Sequence, residues 1–357
     1  MRRTQKQPHF LHEDSNRPTR LSGSKSVIEH ILSRLHDIGI NHVFGIAGDF
    51  AFPINDAVCR NEDLRWVGSC NELNAAYSAD GYARIRGIAA LCTTYGVGEL
   101  SSISGIGGAY AENLPIFHLV GMPASQTQAS RRLVHHTLGN GEFDLFHRMS
   151  EPVVCASAII TPQNCAQETE RLIAAALYHR RPVYMAIPTD HASTPVLGVA
   201  KPHAEPTSDP SALAAAVKAI VDAMGSAAKV CALPGILVSR AGLKDLVTDL
   251  VNRSNWPFAT MFMDKSVLDE TLPTYLGMFD GKLMNEDVRD FVEDSDFVLG
   301  IGAMLTDFNT GSFTASIDRR NSANIMLHSV RVGETVYNNV EMKDVLGAMV
   351  SNIPPQA

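Results

Sequence analysis

Short apolar runs alternate with longer stretches of helical periodicity along most of this chain. In the first half, residues 42–46, 65–69, 89–94, 116–120, 153–155 and 183–187 read as strands. The helices between them are expected from residue 27, where Ser26 and Glu29 are placed for a capping box and Gly39 for the stop, from Glu72, from about Gly98, and over 163–178. Strands separated by helices must pair in parallel through right-handed crossovers, so the pattern predicts a doubly wound α/β sheet. Ligands bind such sheets beyond the carboxyl ends of the strands, so loops 47–50, 70–72 and 95–98 are expected on one rim.

From residue 190 to about 210 the composition turns to His, Ser, Thr, Pro and Lys without periodicity, which reads as a linker. The alternation then resumes, with helices at 212–224, 242–252 and from about Met342, and strands at 229–233, 258–261, 297–301 and 325–328. The division is therefore a disordered tail at 1–22, a first domain at 23–190, a linker at 191–210 and a second α/β domain at 211–357. A net charge of −8 over 357 residues argues against nucleic acid as the main partner, because phosphate contacts need a basic face. No 18-residue apolar run is present, so no membrane span is expected. The tail carries Arg2, Arg3, Lys6, Arg17 and Arg20 without an apolar core, unlike a secretory signal. Six scattered cysteines without a Cys-x-x-Cys pair suit buried thiols in the cytoplasm.

One stretch stands out. Residues 70–84 read Cys-Asn-Glu-Leu-Asn-Ala-Ala-Tyr-Ser-Ala-Asp-Gly-Tyr-Ala-Arg and put Glu72 on the same helical stripe as Ala76, Ala79 and Ala83. A lone Glu in a first turn is ordinarily a surface residue worth ~0.3–1 kcal/mol. Here it lies on a face of small side chains that lets something approach closely.

Residues 70–84, the run Thr-Thr-Tyr-Gly-Val-Gly-Glu-Leu-Ser at 93–101 and the run His-His-Thr-Leu-Gly-Asn-Gly-Glu-Phe at 135–143 together resemble the thiamine diphosphate-dependent 2-oxo acid decarboxylases, the pyruvate and indolepyruvate decarboxylase family. The resemblance runs from about Ser24 almost to the chain's end. It extends to 258–267 and 307–313 in the second half, similar to the family's Rossmann-like middle domain. It implies that 23–190 is the pyrimidine-binding domain and that Glu72 bonds a pyrimidine ring nitrogen of the cofactor, with Thr94 and Gly96 beside it. Asp49, His135 and His136 would manage proton transfer and aldehyde release, a task that suits histidine, whose pKa of ~6.5 leaves both forms accessible. Read alone, Asp49 is a turn residue and the histidine pair a surface accident. A metal pair is not expected, because neighbouring side chains diverge.

Family members carry a third domain that holds the diphosphate through Mg²⁺ on a Gly-Asp-Gly motif and an Asn pair. The chain has no Gly-Asp-Gly, and Asn338-Asn339 reads as a turn. The resemblance therefore implies an incomplete decarboxylase, needing a diphosphate-binding part from elsewhere and working as a homodimer or in complex with such a chain. The alternative is a non-catalytic relic or regulatory subunit. A weaker reading takes Gly300-Ile301-Gly302 as part of a nucleotide site in the second domain. The homodimer expectation rests on the stripe Glu72/Ala76/Ala79/Ala83 and the glycine-rich stretch 96–108.

Overall fold

A computed structural model of the chain describes residues 25–225 and 227–352. The tail at 1–22, with its arginines, lies outside the described residues.

Six strands build the first sheet: β1 (His42–Gly45), β2 (Arg65–Gly68), β3 (Ala89–Thr94), β4 (Ile116–Met122), β5 (Ala156–Ile159) and β6 (Val183–Pro188). They lie in the order β2-β1-β3-β4-β6-β5, every pairing parallel. Alternate strand residues go to opposite faces, both covered. Val43, Cys92, Leu119 and Met185 meet α1 (Val27–Asp37), α2 (Phe52–Arg60) and the helix Cys165–His179. Phe44, Leu91, Val120 and Tyr184 face the side of α3 (Glu72–Arg86) and α4 (Val97–Ala111).

The capping box at Ser26 and Glu29 forms. Five residues of α1 (Val27, Ile28, Ile31, Leu32 and Leu35) are buried, and truncating one such leucine to alanine costs about 2–5 kcal/mol. The stripe Ala76/Ala79/Ala83 is buried too, by the chain's own α4. A Cβ on Gly105 would lie 2.5 Å from Ala76 Cβ, so these small residues serve helix packing inside the domain and not a second copy. The face of α3 that stays uncovered carries Tyr77 and Ile85 around Gly81, where an added Cβ meets nothing within 4 Å.

Two expected strands need correction. The run 153–155 is not a strand: Pro152 sits in the short 3-10 turn Glu151–Val153, and β5 begins only at Ala156. The run 325–328 is displaced to β11 (Ser322–Ile325), because His328 leaves the sheet to clamp the two halves of the chain. Its ring stacks on Tyr178 at 3.8 Å, its Nε2 donates to the Tyr178 carbonyl at 2.7 Å, and its Nδ1 lies 2.8 Å from Glu341 Oε2.

The second sheet adds β7 (Val230–Pro234), β8 (Phe258–Thr260), β9 (Tyr275–Met278), β10 (Phe297–Ile301), β12 (Ser329–Val332) and β13 (Thr335–Asn338) to β11, in the order β13-β12-β11-β10-β7-β8-β9. It is parallel except at one edge, where β12 runs antiparallel to both neighbours. That hairpin, turning at Gly333 with φ +56°, departs from the wholly parallel sheet the alternation predicts. The segment between the domains is tied down along its length: Val196 N–H donates to the Lys25 carbonyl at 3.1 Å, His203 N–H to Glu170 at 2.7 Å, and Ser208 Oγ to Asp344 at 2.6 Å.

Candidate active site

In the first sheet the chain leaves β1 toward β2 and then crosses back to β3, so the loops after β1 and β3 part. Such a switch point opens a crevice at the strands' carboxyl ends. The loop after β1 carries Asp49, the loop after β2 leads to Glu72, and Thr94 and Gly96 follow along β3.

Glycines bring these loops together. A Cβ on Gly48 would fall 2.5 Å from Thr94 Cβ, one on Gly121 of β4 would fall 2.1 Å from the Phe50 carbonyl oxygen, and one on Gly98 would fall 3.2 Å from Glu72 Oε1. Asn71 caps α3, accepting from Asn74 N–H at 2.9 Å, and holds Glu72 at the first helical position. From there its carboxylate reaches the first turn of α4, whose free N–H groups favour negative charge. Thr94 is buried, and its Oγ1 has no hydrogen-bond partner. An orphaned hydroxyl costs stability unless something bonds it.

Gly96 takes φ +68°, and a Cβ there would sit 1.9 Å from the His136 carbonyl oxygen. Its N–H donates to Glu99 Oε1 at 2.8 Å and its carbonyl accepts from Leu100 at 2.9 Å. Gly96 thus contributes room, and its N–H is taken up within the turn. Sequence reasoning missed Glu99, which supports this turn; its place three residues after Gly96, capping-box spacing, was the available signal. Glu99 also accepts from Tyr184 Oη at 2.8 Å, and burial pushes its carboxyl up to about 7. Tyr95, equally missed, anchors the histidine loop: its hydroxyl donates to the Phe143 carbonyl at 3.0 Å.

Asp49, His135 and His136 meet. His135 Nε2 lies 2.5 Å from Asp49 Oδ2 and His136 Nε2 3.9 Å from Asp49 Oδ1, while the His135 ring stacks on Phe50 at 5.0 Å. The expectation that adjacent histidine side chains diverge is wrong here. His136 takes the left-handed conformation, φ +60°, which turns its side chain to the same side as its neighbour's and brings the ring centroids to 4.5 Å.

Both halves of the chain match described domains. Residues 25–147 match the N-terminal TPP binding domain of the thiamine pyrophosphate enzymes, and residues 217–352 match their central domain. The chain belongs to the thiamine pyrophosphate enzyme family. It is 36% identical to a pyruvate decarboxylase of Hanseniaspora uvarum over 91% of its own length and 58% of the relative's. It is 36% identical to an alpha-keto-acid decarboxylase of Mycobacterium leprae, over 90% and 57%. It is 34% identical to a thiamine metabolism regulatory protein of Saccharomyces cerevisiae, over 92% and 55%. The chain thus spans less than two thirds of these relatives' length.

The second-domain glycines are packed closely against the rest of the domain. A Cβ on Gly300 would fall 2.6 Å from Asn324 Oδ1, one on Gly302 2.9 Å from the Val238 backbone nitrogen, and one on Gly235 2.2 Å from the Gly302 carbonyl oxygen. The family-like segments 258–267 and 307–313 clasp each other there: Asn309 Oδ1 accepts from Met263 N–H at 2.8 Å, and buried Asp264 accepts from Ile236 N–H at 2.7 Å and Asn309 Nδ2 at 3.3 Å.

Proposed function

We propose that the first domain supplies the pyrimidine-binding and proton-transfer half of a thiamine diphosphate-dependent 2-oxo acid decarboxylase, which releases an aldehyde and carbon dioxide. The observation that carries this reading is the convergence, at one switch point, of the Glu72 carboxylate, the unpaired Thr94 hydroxyl and the Asp49–His135 pair. Thiamine diphosphate, when bound, supplies the electron sink for loss of carbon dioxide. Glu72 accepts a hydrogen bond from a pyrimidine ring nitrogen and favours its protonated form. Thr94 Oγ1 gains the partner it lacks. Gly96 keeps the wall thin where the His136 backbone crosses it. His135 Nε2 and Asp49 Oδ2, in hydrogen-bond contact, deliver and withdraw protons at the substrate end together with His136.

The diphosphate and its Mg²⁺ are a different matter. Among the described residues, the one cluster of His, Cys, Asp or Glu placed to hold an ion is Asp49, His135 and His136, and two imidazoles with one carboxylate do not make the oxygen cage Mg²⁺ requires. That cage belongs to a diphosphate-binding domain, on this polypeptide or a second one. For a homodimer we propose the uncovered α3 face around Tyr77, Gly81 and Ile85 as the contact. Six free thiols support a cytoplasmic setting.

The relative named as a thiamine metabolism regulatory protein favours a second reading, a non-catalytic regulatory subunit on the same fold. Amide shifts on adding 4-amino-2-methylpyrimidine to the chain test what both readings share. Shifts clustered at Glu72, Thr94 and Gly98, with affinity near ~1 mM and lost in Glu72→Gln, are expected. Scattered shifts, or shifts unchanged by Glu72→Gln, contradict a pyrimidine site here.

A further inference from the structure

We infer that Asp49, His135 and His136 form a binding site for a first-row divalent transition ion, Zn²⁺ foremost. The three side chains offer one carboxylate oxygen and two imidazole nitrogens, all within 4.8 Å of one another. Ligand atoms around a tetrahedral Zn²⁺ lie about 3.3 Å apart, given metal–ligand distances of ~2.0–2.2 Å. The contact of 2.5 Å between His135 Nε2 and Asp49 Oδ2 has to open, and that of 3.9 Å between His136 Nε2 and Asp49 Oδ1 has to close. The two contacts are to different oxygens of Asp49, so binding through one oxygen also turns the partly exposed Asp49 and His136 side chains.

The backbone makes the site. Adjacent residues in an extended segment point apart, and only the left-handed turn at His136 lets both rings face Asp49. That turn is fixed from two sides, by Gly96 beneath the His136 carbonyl and by the Phe50 ring stacked on His135. Asp49 itself sits in the 3-10 turn Asp49–Ala51, which rests on Gly121 of β4. The ligands therefore ride on elements already held in place, and metal binding has little chain to order. Two imidazoles and one carboxylate with open positions suit Zn²⁺, Co²⁺ or Ni²⁺ and disfavour Mg²⁺, which prefers oxygen. Neither imidazole Nδ1 has a hydrogen-bond partner among the described residues to hold its tautomer, so the affinity belongs in the micromolar range and not among structural zinc sites. Binding requires neutral imidazoles, so protons compete with the ion. The inference rests on the geometry alone and stands whether or not the decarboxylation reading does. If both hold, a bound ion withholds these groups from proton transfer, and Zn²⁺ inhibits.

The test is titration of the full chain with Zn²⁺ against a fluorescent chelator, with Co²⁺ absorption as a second readout of coordination. Cys59 and Cys70 are exposed and could bind zinc independently, so the thiols are first alkylated. One Zn²⁺ per alkylated chain is expected, with at least tenfold weaker binding in both Asp49→Asn and His136→Gln while circular dichroism stays unchanged. Absence of stoichiometric binding overturns the inference, as does full affinity in either variant.

Discussion

The two sheets end alike and serve differently. Each has a buried carboxyl at the carboxyl end of its strands, Glu99 in the first and Asp264 in the second. Each accepts a backbone N–H from a glycine-containing turn, and each is pushed by burial up to about 7. In the second sheet the turn closes on itself: Gly235 lies against Gly302 and Ala303. In the first, the corresponding turn holds a wall, and beyond it remain a carboxylate, two imidazoles and an unpaired hydroxyl. Close glycine packing is common to both. What distinguishes the first rim is that its leftover carboxylate, imidazoles and hydroxyl gather at one switch point, whereas beside Gly300 the second sheet leaves the amide oxygen of Asn324.

The sharpest way to break this comparison is to fill the glycines. Gly96→Ala and Gly235→Ala each drive a methyl into a backbone carbonyl, at 1.9 Å and 2.2 Å, and each is expected to cost about 3–5 kcal/mol in urea unfolding. Gly96→Ala should be the worse of the two, because φ +68° adds strain. A cost below about 1 kcal/mol at either position would mean that the turn is loose and the rim movable.

The buried carboxyls sharpen the likeness. Glu99 and Asp264 ionise at about 7 in the folded chain, against 4.5 and 3.8 for the free groups. Between those values the folded state holds protons that the unfolded state has lost. Their stabilisation is therefore complete below pH ~4 and disappears as pH rises through about 7, by roughly 3–4 kcal/mol for each group. Glu99→Gln and Asp264→Asn should each flatten the pH dependence of the unfolding midpoint. A midpoint that rises from pH 5 to pH 8 in the unaltered chain would reverse the sign and remove the argument.

The smallest effect concerns α3. Gly81→Ala faces open space and should stabilise the helix by about 0.5–1 kcal/mol, whereas Ala76→Leu drives into Gly105 and should destabilise. Sedimentation of Gly81→Trp reads the proposed contact between copies: the dimer should be lost, and a dimer that persists excludes that face.

Much of the fold was legible in residue order. The strands Ala89–Thr94 and Phe297–Ile301 and the start of the helix Met342–Asn352 lie where periodicity puts them, because they are uninterrupted apolar runs or amphipathic turns. The helix Phe52–Arg60 went unread, since Pro53 beside the glycine-bearing turn at 48–51 resembles a loop. The hairpin Ser329–Asn338 was hidden by a single Gly at its turn. The three rim loops were predictable from the crossover rule. The meeting of the two histidines was not, because it depends on one backbone angle at His136 that no residue type announces. Nor was the buried support from Tyr184, which is 85 residues from Glu99 in sequence.

The central claim is that Glu72 activates a cofactor on this rim. The most direct measurement is carbon dioxide release from pyruvate by the chain joined to the part of the Hanseniaspora uvarum pyruvate decarboxylase that it does not match, with thiamine diphosphate and Mg²⁺, for the unaltered chain and for Glu72→Gln. The account predicts turnover by the first and a rate at least a hundredfold lower for the second, with the unfolding midpoints matching to within about 1 kcal/mol. Equal turnover by the two proteins would contradict it.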